Sequence, residues 1–239
     1  MNEQQERYEE LSRNFRKWRR INIWTDRVIL SILLMLLVFA GSGLMDGISF
    51  LGEGIRSIEY HSFPQLKDIN EDIAAWLKVD GTHIDHPVVR SRDNFDYLDK
   101  GFDGGFYAGG TLFMDMNDGS FEDSYCMIHG HNMAGGAMFG DLDRFMDEGF
   151  FSRNRTGMLL TPEYDYDIDV FAAGVYNAYD RKIYNAGRKF DYEYVRKSAV
   201  NIRDTGPHDH VLALSTCMDD MTDDRAVVFC DLLNRRKHR

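Results

Sequence analysis

An uncharged apolar run near the amino terminus divides this chain into parts that must fold in different surroundings. Residues 28–45, VILSILLMLLVFAGSGLM, contain no Asp, Glu, Lys or Arg. As a helix, the run would be about 27 Å long, close to the ~30 Å hydrocarbon core of a bilayer. It lacks the polar stripe of a helix that packs on a globular core. The run therefore predicts a transmembrane anchor.

The flanks of this run predict its orientation. Basic residues crowd the segment before it, whereas DGISFLGEG, just after it, carries no Lys or Arg. By the positive-inside rule, residues 1–27 form a cytoplasmic tail and the rest of the chain is extracellular. A cleaved signal peptide is one alternative, but the run is long for such a peptide and no small-residue cleavage site stands out. A buried core helix is another, although the run is apolar on every side.

Composition limits the remainder to one domain and excludes some partners. With 239 residues, 44% of them hydrophobic, the chain has material for one good core. Its formal net charge of −11 argues against a nucleic-acid partner, since phosphate binding depends on Lys and Arg. Cys126, Cys217 and Cys230 are odd in number and lack the spacing of a structural zinc site. We therefore expect at least one free thiol, and no metal or cofactor.

Periodicity divides the outer part into a helical segment and a β-rich body. Over residues 46–75, apolar residues recur at three- and four-residue spacings, with Pro64 between two predicted short helices. Over residues 76–239, short β-rich runs alternate with Gly, Asp and Asn. The predicted strands lie in WLKVDGTHIDHPVVR, GTLFMDM, SYCMIHG, GMLLTP, YDIDVFAAGVYNA, HVLALSTC and RAVVFCDLL. Several are apolar on both faces, which favours a closed β-barrel, and one helix is predicted at residues 191–204.

The segment VLALSTCMDDMTDDR joins two of these strands and carries a candidate nucleophile. Cys217 ends the first strand and Arg225 begins the second. If the loop between them makes a hairpin, the two residues lie ~5 Å apart on paired strands. A nearby cation favours the thiolate, and a guanidinium can hold the oxyanion that forms when a nucleophile adds to a carbonyl.

The loop itself is acidic, and nearby negative charge opposes thiolate formation. The simplest interpretation is a solvated loop. A substrate contact or a calcium site is the alternative, although the spacing does not match an EF-hand. The aspartates concerned are Asp219, Asp220, Asp223 and Asp224.

A cysteine nucleophile that releases an amine also needs a proton carrier. His129 and His131 lie in MIHGHNM, and His208 and His210 lie in PHDH. His131 follows a glycine where a predicted strand opens into a loop, which is where such an imidazole is expected. A surface loop position is the alternative for each of these histidines.

Taken together, the anchor, the LSTC strand, the arginine beyond it and the GHN motif resemble the sortases. NEDIAAWLKVDGTHIDHPVVRSRDNFDYLD, GGTLFMDMND and IHGHNMAGGAMFGDL are similar to class B sortases in particular, and the resemblance covers residues 69–232. It implies a sortase-type closed β-barrel with N-terminal helices packed on it and one extra helix before the cysteine strand. It also implies that Cys217 is the nucleophile, His131 the general acid/base, and Arg225 the clamp on oxyanion and substrate.

The resemblance further implies a membrane-anchored cysteine transpeptidase of a Gram-positive bacterium. Such an enzyme cleaves a C-terminal sorting signal of the NPxTN or xPxTG kind after threonine, through a thioacyl-enzyme. It then joins the secreted protein to an amine of a lipid-linked cell-wall precursor or of peptidoglycan. Ser215, Thr216 and Asn132 flank the catalytic residues and are candidates for substrate contact, although strand packing explains the first two equally well.

Two other functions stay open on the sequence. One is a metal-dependent hydrolase that uses His129 and His131, with the histidines of PHDH and Cys217 as further ligands. That function would leave the pairing of Cys217 with Arg225 without a purpose. The other is a catalytically silent barrel that only binds, which would have no chemical need for cysteine, histidine and arginine together.

Overall fold

A computed structural model describes residues 62–184, 189–204, 206–217 and 222–238, with Cys217 described by its backbone alone. The predicted cytoplasmic tail (1–27), the predicted anchor (28–45) and most of the predicted helical segment (46–75) lie outside these residues. Among the residues described, no helix has the length and apolar character needed to span a bilayer. The anchor and the domain boundaries therefore stay predictions.

The described residues form nine strands and three α-helices. The strands are β1 (Ile73–Val79), β2 (Asp85–Arg90), β3 (Leu112–Met114), β4 (Tyr125–His129), β5 (Thr156–Leu160), β6 (Tyr164–Asn177), β7 (Asn201–Ile202), β8 (Val211–Cys217) and β9 (Asp224–Lys237). The helices are α1 (Phe63–Ile69), α2 (Glu148–Arg153) and α3 (Tyr192–Ser198), with 3₁₀ turns at Ala134–Gly136 and Leu142–Met146.

Eight of the strands close into a barrel, as predicted. Their order is β5-β1-β2-β3-β4-β8-β9-β6, and β6 pairs back onto β5 to complete the ring. The first part of β6 makes this closing pair, and Ala172 and Ala173 further along the same edge pair with β7. Among the described strands, closure joins the two ends of the sheet, and β7 adds one further strand on β6.

The barrel strands next to the cysteine are apolar on both faces because two apolar layers cover them. On β8, Leu212 and Leu214 belong to the cluster inside the barrel. Val211 and Ala213 belong to a second cluster on the outside, which includes Val195 of α3. Side chains of a strand alternate between faces, so a strand between two apolar layers reads as a continuous apolar run.

Helix α3 confirms the helix predicted before the cysteine strand, but it is shorter. The side chain of Asp191 caps its first turn by accepting a hydrogen bond from the backbone N–H of Tyr194 at 3.0 Å. The helix ends at Ser198, not at residue 204, because Asn201 and Ile202 pair with β6 as β7.

Helix α1 packs on the barrel through Phe63 and Leu66, both buried. Pro64 lies in its first turn, where a proline needs no hydrogen-bond partner, and the helix predicted before Pro64 lies outside the described residues. The helical pattern predicted up to residue 75 is wrong at its end, because β1 begins at Ile73. The side chain of Asn70 causes the turn: it donates to the Phe102 carbonyl at 2.8 Å and accepts the backbone N–H two residues on.

Candidate active site

Strand β8 is the centre of the candidate site because it pairs with β4 on one side and β9 on the other. In the antiparallel pair with β9, Cys217 lies directly opposite Arg225, as the hairpin predicts. In the parallel pair with β4, His129 lies opposite Ser215, and the Gly130 N–H donates to the Ser215 carbonyl at 3.2 Å. His131 lies two residues beyond His129, and Cys217 lies two residues beyond Ser215.

The three predicted catalytic residues therefore lie in, or two residues beyond, three neighbouring strands at one end of the barrel. Backbone pairing alone sets this arrangement, since cross-strand neighbours are ~5 Å apart. An imidazole and a guanidinium on the two sides of a cysteine are the groups that acyl transfer by a thiolate requires.

The orientation of His131 is fixed by one hydrogen bond. Its Nε2 lies 2.7 Å from the Leu98 carbonyl oxygen. A carbonyl can only accept, so Nε2 carries the hydrogen, and in the neutral ring Nδ1 holds the lone pair. Nδ1 is then the nitrogen that takes up and returns a proton. The His131 carbonyl in turn accepts the Phe139 N–H at 2.9 Å, which holds the loop that follows β4.

Arg225 is half-buried at the start of β9, and β6 supports it from the far side. Tyr176 pairs with Arg225, and the Ala178 N–H donates to the Asp223 carbonyl at 2.8 Å. The hairpin end that carries Arg225 is thus held within a three-stranded ladder. Part of the predicted acidic loop, residues 218–221, lies outside the described residues.

The candidate substrate contacts divide between the two faces of β8 and the loop beyond β4. The Ser215 hydroxyl, on the outer face, lies 3.0 Å from the Tyr184 hydroxyl. Thr216 follows it in the strand and is 2% exposed; its Oγ1 is buried without a hydrogen-bond partner among the described residues. Burial of Thr216 is what strand packing predicts. Asn132 lies beyond β4, where its backbone bridges Met138.

Sequence reasoning missed Asp115 and Tyr184, which contact residues of the candidate site. Oδ2 of Asp115 lies 3.0 Å from Nε2 of His129. Tyr184 belongs to the segment after β6, which lies over the outer face; the buried Tyr125 hydroxyl donates to the Ile183 carbonyl at 2.9 Å and fixes that segment. These contacts join residues far apart in sequence, and the only local signal is that Asp115 directly follows β3, the antiparallel neighbour of β4.

The histidines of PHDH lie at the opposite end of β8 from the cysteine. Nδ1 of His208 is 3.0 Å from both carboxylate oxygens of Asp231, which pairs with Val211 at the first residue of β8. Cys217 is six positions further along, or about 20 Å at ~3.3 Å per residue. His208 therefore cannot join His129, His131 and Cys217 in one metal site. Within the described part of the chain, no group of three or more candidate side chains could hold a metal ion.

The other two cysteines are unsuited to nucleophilic chemistry. Cys126 and Cys230 are fully buried in the barrel interior, as small apolar residues would be. Burial raises the pKa of both thiols, so neither forms a thiolate at neutral pH.

Comparison with known proteins begins with curated sequences, since no protein-family model matches the chain. Sortase B of Listeria monocytogenes is 31% identical over 164 residues, which cover 64% of this chain and 65% of the relative. The chain thus spans just under two thirds of that relative's length. Sortase B of Staphylococcus aureus is 28% identical over 165 residues, covering 66% of this chain and 68% of the relative.

The match with solved structures of the same fold covers a larger share of each relative than the match with the curated sequences does. A Streptococcus pyogenes class B sortase involved in pilus biogenesis is 32% identical, with a TM-score of 0.65 over 72% of this chain and 97% of that one. Sortase B of Clostridium perfringens is 28% identical, with a TM-score of 0.66 over 72% of this chain and 100% of that one. The similarity therefore extends over the whole folded part of these structures.

Proposed function

This chain belongs to the class B sortases, and from that membership we infer that it is a cysteine transpeptidase acting on the sorting signals of secreted proteins. The observation that carries the proposal is the register of β8, which pairs Cys217 with Arg225 and pairs Ser215 with His129, two residues before His131. Neither a metal hydrolase nor a silent binding module needs that arrangement.

The proposed reaction begins when the Cys217 thiolate attacks the carbonyl carbon of threonine in the sorting signal. Arg225 holds the oxyanion through its guanidinium N–H groups. The C–N bond then breaks, and His131 gives a proton from Nδ1 to the leaving amine, while its Nε2–H stays on the Leu98 carbonyl. The products of this half are a thioacyl-enzyme and the released C-terminal peptide.

The second half resolves the thioacyl-enzyme with an amine of the cell wall or its lipid-linked precursor. The amine attacks the same carbonyl, His131 accepts its proton at Nδ1, and the thiolate leaves. The surface protein is then joined to the amine by a new amide bond. We propose signals of the NPxTN or xPxTG kind, because the threonine preceding the cleaved bond is common to both.

Membrane anchoring belongs to the proposal as well. A single span at residues 28–45, with the N-terminus in the cytoplasm and the barrel outside, would hold enzyme, substrate and lipid-linked acceptor on one surface. Such confinement raises their effective concentration without any new contact.

The experiment uses the full chain in detergent micelles with quenched fluorescent peptides of both kinds. Cleavage after threonine should fall on the order of 10³-fold or more in Cys217→Ala, because the nucleophile is lost. It should be unaffected by a chelator. The matched control, Cys126→Ala, removes a buried thiol of the barrel interior and should keep its activity. Activity that survives Cys217→Ala, or that the chelator abolishes, would favour a metal hydrolase.

A further inference from the structure

His129 lies two residues before His131, and its imidazole is held on several sides. Its Nε2 is 3.0 Å from Oδ2 of Asp115, a residue only 8% exposed. The Phe113 ring lies 5.4 Å away between centroids, and the Tyr184 ring lies nearly parallel to it, at 13° and 6.4 Å. The His129 side chain is nevertheless 19% exposed. A fixed ring with one accessible edge is suited to contact a ligand.

Asp115 determines which nitrogen of this ring carries the hydrogen. Burial opposes ionisation of the carboxyl, but hydrogen bonds from His129 and Asn117 outweigh it and lower the pKa of Asp115 to about 2. An ionised carboxylate only accepts, so the hydrogen is on Nε2 of His129. The neutral ring therefore holds its lone pair on Nδ1, which has no hydrogen-bond partner among the described residues and is not buried.

The strand register places His129 two residues before the end of β8 that carries the cysteine. Beyond His129, the outer face of β4 and β8 is covered, because Ile183 packs there and is 1% exposed. Ser215, beside His129, is already covered by Tyr184. Along the strands, His129 lies about 7 Å from the line that joins His131 and Cys217, at ~3.3 Å per residue. That distance corresponds to about two residues of an extended peptide.

Building on the proposed function, we propose that His129 is a substrate-binding residue that Asp115 positions. Its Nδ1 accepts the backbone N–H of the residue just before threonine in the sorting signal. With the threonine carbonyl at Cys217, that N–H lies about 6 Å back along an extended peptide, close to the ~7 Å that separates His129 from the cysteine end of the strands. The preceding residue of the signal is proline, which has no N–H, so the next backbone donor upstream is out of reach.

The test compares two peptides on the full chain: a cleaved sorting-signal peptide and the same peptide N-methylated at the residue before threonine. The wild-type chain should lose about 5- to 10-fold in kcat/KM on methylation, mainly through KM, because one hydrogen bond is lost. His129→Gln keeps an amide that can meet Asp115 but has no group in place of Nδ1. It should cleave the unmodified peptide about 5- to 10-fold less well than the wild type does. Its own loss in kcat/KM on methylation should be smaller than that of the wild type by the same factor.

Asp115→Asn tests the positioning role without changing the ring. An amide N–H facing Nε2 would move the ring hydrogen to Nδ1 and turn the acceptor into a donor. Nitrogen-15 NMR of the imidazole should report this exchange of tautomers, and KM should rise as in His129→Gln. The control is His238→Gln, which alters a similar contact, His238 Nε2 to Asp165 Oδ1 at 2.6 Å, in the last residues of the barrel. It should leave kcat/KM within about 2-fold for both peptides.

An equal methylation penalty in the wild type and in His129→Gln would overturn the inference alone, because the penalty would then be steric. If the His129 ring of Asp115→Asn keeps its hydrogen on Nε2 while KM rises, the positioning role of Asp115 is overturned. Absence of any cleavage by the wild-type chain would instead count against the proposed function, and the inference would fall with it.

Discussion

Two histidine–aspartate pairs lie near opposite ends of β8, and their surroundings give them different roles. The pair of His129 and Asp115 lies beside Ser215, and its imidazole keeps an accessible edge. The pair of His208 and Asp231 lies beside the first residue of β8, and its imidazole is only 3% exposed. The same two side chains can therefore bind a substrate in one place and only hold the fold in the other, according to burial.

Aromatic rings account for the burial of the second pair. Phe171 and Tyr192 enclose the His208 ring, with centroids 4.0 and 4.5 Å away. The backbone of His208 has φ of 50°, in the left-handed region that non-glycine residues seldom adopt, so the pair holds a bend just before β8. Among the described residues, these rings and Asp231 leave the His208 side chain only 3% exposed, too little for contact with a peptide.

The largest expected effect comes from breaking the buried pair. His208→Ala leaves Asp231 buried without its partner, and we expect the free energy of unfolding to fall by about 3 kcal/mol and Tm by about 8 °C. The kcat/KM of the protein that stays folded should not change. Thermal denaturation and peptide cleavage at 20 °C below Tm measure the two quantities. The exposed neighbour is the control: His210→Ala should change neither. Lost activity at an unchanged Tm would contradict the comparison.

A second effect is a pH dependence of stability that arises close to the His129 pair. Asp118 follows Asp115 of the His129 pair by three residues. Its Oδ2 accepts the Met127 N–H at 2.8 Å, and its Oδ1 is buried without a partner among the described residues. Burial raises the pKa of Asp118 to about 7. Because this pKa is higher folded than unfolded, stability is lost as pH rises from about 4 to 7. In Asp118→Asn, the loss of unfolding free energy between pH 4 and 7 should be smaller by about 2 kcal/mol. This is less than the whole pKa shift of Asp118 corresponds to, because the protein around a buried carboxylate rearranges when the group ionises.

Urea unfolding at a series of pH values measures that difference. The variant and the wild type should diverge between pH 4 and 7 and run parallel above and below. Parallel curves throughout would show that Asp118 ionises as freely in the folded protein as in the unfolded chain.

The smallest effect concerns the segment that carries Ile183 and Tyr184 and covers Ser215. Tyr125→Phe removes the hydroxyl that holds the Ile183 carbonyl, and we expect about 1 kcal/mol less stability. KM should rise about 2- to 3-fold at constant kcat, because Tyr184 next to Ile183 would be held less firmly over Ser215. Tyr179→Phe, at a side chain 77% exposed, is the control. A fall in stability with KM unchanged would show that substrate binding does not depend on this bond.

Much of the site was predictable because its main pairing is local. Cys217 and Arg225 belong to neighbouring strands joined by a short loop, so a hairpin pairs them with little freedom of register. The strand before His131 was visible as an apolar run that ends at a glycine. The extra helix was predicted as well, and only its end was wrong, since β7 pairs with a strand that lies elsewhere in the sequence.

By itself, the sequence determined where the strands lie along the chain, the pairing of the cysteine with the arginine and the family resemblance, and it predicts the anchor at residues 28–45. The tertiary structure alone decided that β4 runs parallel beside β8, that β5 closes onto β6, and that Asp115 and Tyr184 contact the site. The physical reason is distance along the chain. A hairpin pair is specified by a few adjacent residues, whereas a parallel pair and a contact between distant loops depend on the burial of the whole barrel.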